Sequence, residues 1–292
     1  MKTLRTSTGL HLAYRDQGSG PPILLIHGWG VSGELFGPQL QGLAQRFRIV
    51  APDLPGHGAS GDFREDDPFT CLADSLAELI VQLELEPVCL VGWSLGAMVA
   101  WDLILRHPEL GISGLVTIDM VPCLLSDPDW PYGLHSSERL EVFERHVKMM
   151  LQDWRAYTAL FVPRIFAPGD GEQTERLVSD AVQVALANNP ANLAPLWMRM
   201  SEQDFRPLLA RIRVPTLLVC GRHSQLYGAA ACRWITEQMP DGRAIVFEHS
   251  GHAPHLEEPE RFNRILAEFS DPQAPRETFE PTDPAETGIA QQ

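Results

Sequence analysis

The sequence lacks the features that mark several classes of protein. Basic residues are few, since 23 Lys and Arg stand against 38 Asp and Glu in 292 residues, which gives a net charge of −15. This charge argues against nucleic acid as a partner, because phosphate binding requires a basic surface. No apolar run reaches the roughly 18 residues that a membrane span needs, and the first five residues lack the apolar stretch of a signal peptide. The simplest expectation is a cytoplasmic protein.

Closely spaced cysteines are also missing. None of the five cysteines belongs to a CxxC pair; they are Cys71, Cys89, Cys123, Cys220 and Cys232. Cys89 and Cys220 lie inside apolar, strand-like runs, so we expect reduced and buried thiols. We predict no metal site and no other cofactor.

Short apolar runs alternate with helical patterns along most of the chain. Two short strands are expected at 4–7 and 10–15, and the apolar runs lie at 23–26, 48–51, 88–91, 114–118, 214–219 and 244–247. This alternation predicts a mostly parallel, doubly wound sheet.

The alternation stops in the middle of the chain, where helical patterns rich in aromatic residues cover 137–151, 154–161 and 174–188. We therefore predict an α/β core from residues 1–121 and 208–270, with residues 122–207 inserted as a helical cap that supplies the substrate pocket. Residues 271–292 are rich in Pro, Glu and Thr and predict a disordered acidic tail.

The segment Gly92–Gly96 (GWSLG) carries the strongest chemical signal. It follows the apolar run at 88–91 and precedes a helical pattern, so it predicts a strand, a sharp turn and a helix with Ser94 at the apex. The flanking glycines permit the strained turn, and a helix N-terminus stabilises negative charge beside the serine. We interpret Ser94 as a nucleophile.

A serine hydroxyl needs a base, and in a strand–turn–helix of this kind the acid and the histidine follow the serine in that order along the chain. His252 follows the last apolar run and is preferred over its neighbours His249 and His255. The backbone N–H groups of Trp29, in the HGWG segment at 27–30, and of Leu95 are the predicted oxyanion hole. His27 and His57 are interpreted as structural.

These motifs resemble the α/β-hydrolase superfamily. The resemblance covers about residues 4 to 269 and rests on HGWG at 27–30, DLPGHG at 53–58, GWSLG at 92–96 and the Gly251–His252 pair. Within the superfamily the chain is similar to the carboxylesterases of the biotin pathway, which cleave pimeloyl-acyl-carrier-protein methyl ester. The resemblance implies that Trp29 and Leu95 line the acyl site and that an acyl carrier protein is a partner.

One departure concerns the acid of the triad. The family usually carries it in a Gly-x-x-Asp segment, which here reads Gly221-Arg222-His223-Ser224. Asp119 ends the run at 114–118, and strand carboxyl ends line the crevice of such a sheet. We therefore predict Asp119 as the acid, because Asp241 and Glu248 do not end a strand that faces the crevice. The alternative is a structural aspartate at the turn into the cap.

The leading hypothesis is a serine hydrolase that cleaves a small-molecule carboxylic ester through an acyl-enzyme intermediate, with the triad Ser94, Asp119 and His252. A thioesterase, a carbon–carbon hydrolase or an acyltransferase would use the same serine. A different class is a degenerate, non-catalytic binding protein, for which the lost acid at Ser224 is the argument.

Overall fold

The computed structural model describes residues 1–63, 67–134 and 140–271, and eight strands of these residues form one sheet. The strands are β1 (Lys2–Arg5), β2 (His11–Gln17), β3 (Pro22–Ile26), β4 (Arg48–Pro52), β5 (Val88–Trp93), β6 (Ile112–Ile118), β7 (Thr216–Gly221) and β8 (Gly242–Phe247). Their spatial order is β1-β2-β4-β3-β5-β6-β7-β8. Strand β2 pairs antiparallel with β1 and β4, and the other neighbours are parallel. The predicted mostly parallel sheet is confirmed.

Both faces of this sheet are covered, as the apolar runs of the central strands require. Five helices flank it: α1 (Gly37–Leu43), α2 (Pro68–Gln82), α3 (Leu95–Arg106), α8 (Ala229–Gln238) and α10 (Pro259–Ser270). In β3, Leu24 and Ile26 join the core formed with α2, α3 and α8. Ile23 and Leu25 join a second core with α1 and α10. Side chains of a strand point alternately to its two faces, so the sheet is doubly wound.

Four α-helices lie in the described residues between β6 and β7. They are α4 (Leu140–Gln152), α5 (Trp154–Phe161), α6 (Glu172–Leu186) and α7 (Pro190–Ser201). Trp29, which follows β3, has ring contacts with Trp154 of α5 and Trp197 of α7. These helices therefore reach the carboxyl end of the parallel strands. The limits of a separate cap at 122–207 stay a prediction, and the predicted tail lies outside the described residues from position 272 onwards.

The helices of the described segments include none with both the length and the apolar composition of a membrane span. A short helix, α9 (Pro254–Glu257), follows the loop after β8 and completes the helical elements that matter for the site.

The cysteines differ in part from the sequence-based expectation. Cys71, Cys89 and Cys123 are buried thiols outside any disulfide, as expected. Cys220 and Cys232, however, form a disulfide, because β7 and α8 bring their Cα atoms to 6.8 Å, near the upper limit for such a bond. The expectation of five reduced thiols was wrong for this pair.

Candidate active site

Ser94 lies at the turn between β5 and α3. Its backbone has φ 54° and ψ −120°, outside the ordinary helical and extended regions. A Cβ atom at Gly92 would collide with the backbone of Gly96, and one at Gly96 would collide with the carbonyl oxygen of Ile26. The two glycines therefore let β5 and α3 approach each other and β3 closely enough to form the turn. The sequence predicted this local structure from the same spacing.

His252 lies in the loop between β8 and α9 and is 2% exposed. Its N–H donates to the carbonyl of Ile165 at 2.8 Å, and its carbonyl accepts from Trp93 Nε1 at 2.8 Å. Its Nδ1 donates to Asp119 Oδ2 at 2.6 Å. In the neutral ring this tautomer leaves Nε2 free of a proton, which is the state that a general base requires.

Asp119 follows β6 and is 3% exposed, with φ 45°. Besides the bond from His252, Asp119 Oδ2 accepts from Ser224 Oγ at 2.6 Å, and Oδ1 accepts a longer bond of 3.4 Å from the Gly221 N–H. The structure thus brings Asp119 and His252 into the contact that the sequence predicted, while the catalytic role of the pair remains a prediction.

Ser224, at the position where the family carries its acid, has a different set of contacts. Its Oγ donates to Asp119 and accepts from the N–H groups of Leu226 at 3.3 Å and Tyr227 at 3.2 Å. These bonds hold Tyr227 beside His252, with ring centroids 5.7 Å apart. Burial raises the pKa of the Tyr227 phenol, so its hydroxyl stays protonated. Sequence reasoning missed Tyr227, because no motif marks a tyrosine in this loop.

The other carboxylates that were considered lie elsewhere. Glu248 pairs with Arg222 at 2.9 Å, and this hydrogen bond lowers the pKa of the Glu248 carboxyl. Asp241 lies just before β8, at the amino end of that strand and within 4.0 Å of Arg243. Asp241 therefore lies at the edge opposite to Ser94. Glu248 directly follows the carboxyl end of β8, so the expectation that it does not end a strand at the crevice was wrong, but its carboxylate pairs with Arg222, whereas that of Asp119 pairs with His252.

The HGWG segment lies against the serine turn. A Cβ atom at Gly28 would lie 3.3 Å from Ser94 Cβ. His27 Nδ1 donates to the Gly28 carbonyl at 2.7 Å, and His57 Nε2 accepts from the Gly30 N–H at 3.2 Å. Burial lowers the pKa of His27 to about 4 and that of His57 to about 3, so both rings are neutral near pH 7. Their contacts are structural, in agreement with the sequence-based interpretation.

A cavity of about 330 Å³ opens beside Ser94 and His252. Its walls are mostly apolar and aromatic, and they include Trp29, Leu134, Met149, Phe161, Trp197 and Met200. Trp29 therefore lines the same cavity as Ser94 and His252, and its contact with a substrate stays a prediction. The Leu95 side chain is fully buried and does not belong to the residues that line this cavity, so only its backbone N–H remains a candidate for substrate contact.

The Trp29 indole is enclosed by side chains of the helices between β6 and β7. Its ring centroid lies 5.1 Å from that of Trp197, 5.5 Å from Phe161 and 5.9 Å from Trp154. Its Nε1 donates to the Leu193 carbonyl at 3.0 Å. Aromatic contacts of this kind fix a side chain in one orientation. Among the described residues, no cluster of three or more His, Cys, Asp or Glu side chains could hold a metal ion.

A model of the alpha/beta hydrolase family matches residues 23–265, a span that contains Ser94, Asp119 and His252. The chain belongs to this family. The expected fold class is therefore confirmed. The order of the strands in the sheet and the sharp turn at Ser94 are the structural features that agree with this family.

Relatives of this α/β-hydrolase include the pimeloyl-[acyl-carrier protein] methyl ester esterases of Nitrosomonas europaea and Aromatoleum aromaticum. The first is 31% identical over 247 residues, covering 84% of this chain and 94% of the relative. The second is 33% identical over 250 residues, covering 82% and 94%. A solved esterase from Exiguobacterium antarcticum has a TM-score of 0.85 and 25% identity, with 92% and 98% of the two chains covered. The predicted resemblance and the prediction of an esterase-type hydrolase are confirmed.

Proposed function

We propose that this α/β-hydrolase cleaves carboxylic esters through an acyl-enzyme intermediate, with Ser94, Asp119 and His252 as its triad. The observation that carries the proposal is the 2.6 Å contact between His252 Nδ1 and Asp119 Oδ2, in a histidine that lines the same cavity as Ser94. A carboxylate on Nδ1 selects the tautomer in which Nε2 can accept the serine proton. Asp119 thus replaces the charge that Ser224 cannot supply.

The reaction follows from these roles. Ser94 Oγ attacks the acyl carbon while His252 Nε2 accepts its proton, and the N–H groups of Trp29 and Leu95 donate to the oxyanion. The bond to the alcohol then breaks, and the alcohol leaves with the proton from His252. Water next gives a proton to His252 and attacks the acyl carbon, and Ser94 Oγ recovers the proton as the acid departs. Asp119 stays ionised throughout and stabilises the imidazolium.

The chemical character of the cavity walls indicates which acyl groups this site would bind. Apolar and aromatic walls favour an acyl chain with a hydrophobic body, because burial of each methylene contributes about 0.8 kcal/mol. The two bacterial relatives are named for a methyl ester on pimeloyl-acyl-carrier protein, and we infer the same substrate class here. In this proposal residues 122–207 act as the cap over the cavity, and the enzyme is cytoplasmic.

Exposed basic residues on α4 and α5 offer a surface for an acidic carrier protein. They are Arg145, Lys148 and Arg155; Arg139, a fourth basic residue that we include in this proposal, lies outside the described residues. Opposite charges steer association and are screened by salt. The alternative is a solvated surface in which these side chains pair with neighbouring acidic residues.

A fluorophosphonate probe and a p-nitrophenyl ester of short or medium chain length test the proposal. We expect covalent labelling of the wild type and complete loss of labelling and hydrolysis in Ser94→Ala. Ser179→Ala is the matched control, because Ser179 is exposed on α6 and should leave both unchanged. A Ser94→Ala variant that retained more than a small fraction of wild-type kcat would refute the nucleophile. Absence of labelling in folded wild type would favour a non-catalytic binding protein.

A further inference from the structure

We infer that Asn188 is a positioning residue that holds the oxyanion turn at Trp29 and Gly30. The inference rests on the proposed function, which gives the Trp29 N–H its role. Asn188 lies in the junction between α6 and α7 and is 6% exposed. It reaches from these helices to the backbone of two loops of the core, and nothing in the motifs around Ser94 or His252 points to it.

The contacts of the Asn188 amide are complete and specific. Nδ2 donates to the Gly30 carbonyl at 3.1 Å and to the Val184 carbonyl at 3.0 Å. Oδ1 accepts from the Gly58 N–H at 2.8 Å. A third carbonyl, that of Ala185, lies 3.4 Å from Nδ2. Three carbonyl acceptors around one amide atom and an N–H donor at the other determine which is nitrogen and which is oxygen. The residue is thus used for hydrogen bonding rather than for filling space.

Three consecutive peptide groups of the oxyanion turn are each held by one side chain. The first is the peptide group between Gly28 and Trp29, which carries the Trp29 N–H. Its carbonyl, that of Gly28, accepts from His27 Nδ1 at 2.7 Å. The next peptide has its N–H, that of Gly30, bound to His57 Nε2 at 3.2 Å. The third has its carbonyl, that of Gly30, bound to Asn188 Nδ2 at 3.1 Å. Gly30 has φ +72°, which glycine adopts without strain, and because glycine also populates other conformations readily, these contacts select the one observed.

Asn188 differs from the two histidines in its origin. His27 and His57 belong to loops of the sheet, whereas Asn188 belongs to the helices between β6 and β7. The same helices hold the Trp29 side chain through the Leu193 carbonyl and the Trp197 ring. The orientation of the Trp29 N–H therefore depends on how these helices pack on the core. Leu193 and Trp197 hold the side chain of Trp29, and Asn188 holds the backbone of the turn at Gly30.

The size of the effect follows from the role. Removal of one oxyanion donor costs about 10²- to 10³-fold in rate, and a displacement of about 1 Å at a reacting group can cost 10²-fold. Without Asn188 the Trp29 N–H remains present but loses one of three supports. We therefore expect kcat to fall by about 10- to 100-fold. This loss is no larger than the 10²-fold loss that a displacement of about 1 Å can cause. Ground-state binding should be little affected, because Asn188 is not among the residues that line the cavity.

The first test compares Asn188→Ala with Asn189→Ala on a p-nitrophenyl ester. Asn189 is the adjacent control, since its side chain accepts from the Ala191 N–H at 3.0 Å and so caps α7 rather than binding the turn at Gly30. We expect Asn188→Ala to lower kcat by about 10- to 100-fold with KM within about twofold. Asn189→Ala should lower thermal stability and keep wild-type kcat. Asn188→Asp, which keeps an acceptor for Gly58 and loses the donor to Gly30, should resemble Asn188→Ala and replaces it if the alanine variant folds poorly.

The second test measures backbone amide hydrogen exchange in the peptide that contains residues 28–31. Exchange should be faster in the Asn188 variants and unchanged in Asn189→Ala, whether or not the enzyme is active. Unchanged kcat and exchange in the Asn188 variants would overturn the inference, as would equal losses in the Asn188 and Asn189 variants. A wild type without Ser94-dependent hydrolysis would refute the proposed function alone, because the exchange result still reports on the turn.

Discussion

The Asp119 carboxylate receives two hydrogen bonds of 2.6 Å on the same oxygen, from His252 Nδ1 and from Ser224 Oγ. Bonds of this length to a carboxylate are of the charge-assisted kind. This chain therefore differs from its family in where the acid of the triad lies. The carboxylate of Asp119 follows β6, and the hydroxyl of Ser224, which follows β7, donates a hydrogen bond to it. Because Ser224 also binds the N–H of Tyr227, the support extends to a wall of the cavity.

Replacement of Asp119 should have a far larger effect than replacement of Ser224. We expect Asp119→Asn to lower kcat by about 10³- to 10⁴-fold, because the amide cannot stabilise the imidazolium and favours the wrong tautomer. Ser224→Ala should be mild, since the serine carries no charge. The double variant Asp119→Asn/Ser224→Asp should recover part of the activity, because residue 224 lies next to the same carboxylate oxygen. The measurement is kcat on a p-nitrophenyl ester, with circular dichroism to verify folding.

A different pattern would contradict the assignment of the acid. If Asp119→Asn kept kcat within tenfold of wild type while Ser94→Ala was inactive, another carboxylate would have to serve His252. The histidine and the serine would keep their roles in that case.

The sequence could predict where Ser94, His252 and Asp119 lie in the fold because each position is tied to a local rule. The serine has its glycines, the histidine follows the last strand, and the aspartate ends a strand at the carboxyl edge. It could not predict the bonds of Ser224 to Asp119 or of Asn188 to Gly30. These pairs are 105 and 158 residues apart in the chain, and their contact depends on how loops and helices pack.

At the scale of elements, the strands follow from local sequence patterns, whereas some of the helices depend on packing. All eight strands were predicted, six of them from apolar runs, although β7 begins at Thr216 rather than at Val214. Helices α1, α7, α8 and α9 were not predicted. Helix α7 contains Pro195, a residue that weakens a helical pattern, yet Pro190 at its first position and the Asn189 cap favour its start. Its buried side chains, such as Leu196 and Trp197, stabilise it through packing that a sequence pattern does not contain.

The surface of α4 and α5 carries a prediction about the carrier protein. Charge reversal of Arg145 and Arg155 together should slow hydrolysis of a carrier-bound ester, because an acidic carrier loses attraction to this surface. Hydrolysis of a small ester should not change. Since attraction between exposed charges is screened, the effect should shrink as salt rises from low to high concentration. The measurement is kcat/KM for both substrates at two salt concentrations.

The matched control for this experiment is charge reversal of Arg211 and Arg213. Both are exposed, and they precede β7 at the amino end of the parallel strands, the edge opposite to Ser94. The net charge changes by the same amount in both double variants. Equal rates of the two variants on the carrier-bound ester would remove α4 and α5 as the carrier surface.

At the scale of the whole molecule, buried ionisable groups determine how stability depends on pH. Burial lowers the pKa of His27 to about 4 and of His57 and His255 to about 3, from 6.5. Burial raises the pKa of Glu257 from 4.5 to about 7 and of Asp102 from 3.8 to about 6. As the pH falls below 6.5, these histidines bind protons in the unfolded chain but not in the folded protein. This difference lowers the stability of the folded protein. The two acids act in the opposite sense until they are protonated in both states. Because three histidines oppose two acids, we expect stability to fall gradually as the pH drops below about 6.5 and to keep falling as the pH approaches 3.

His255 offers the clearest test of this balance, because its ring is fully buried and neither nitrogen has a hydrogen-bond partner. His255→Leu removes an unpaired polar group, so it should not destabilise the protein near pH 8. At pH 5, about 1.5 units below the pKa in the unfolded chain, it should gain about 2 kcal/mol over wild type, since the unfolded variant no longer binds that proton. Urea unfolding at both pH values measures the difference. His249→Leu, at an exposed position, is the control and should show no such pH dependence. An equal offset of His255→Leu at pH 5 and pH 8 would mean that the folded ring is protonated as readily as the unfolded one.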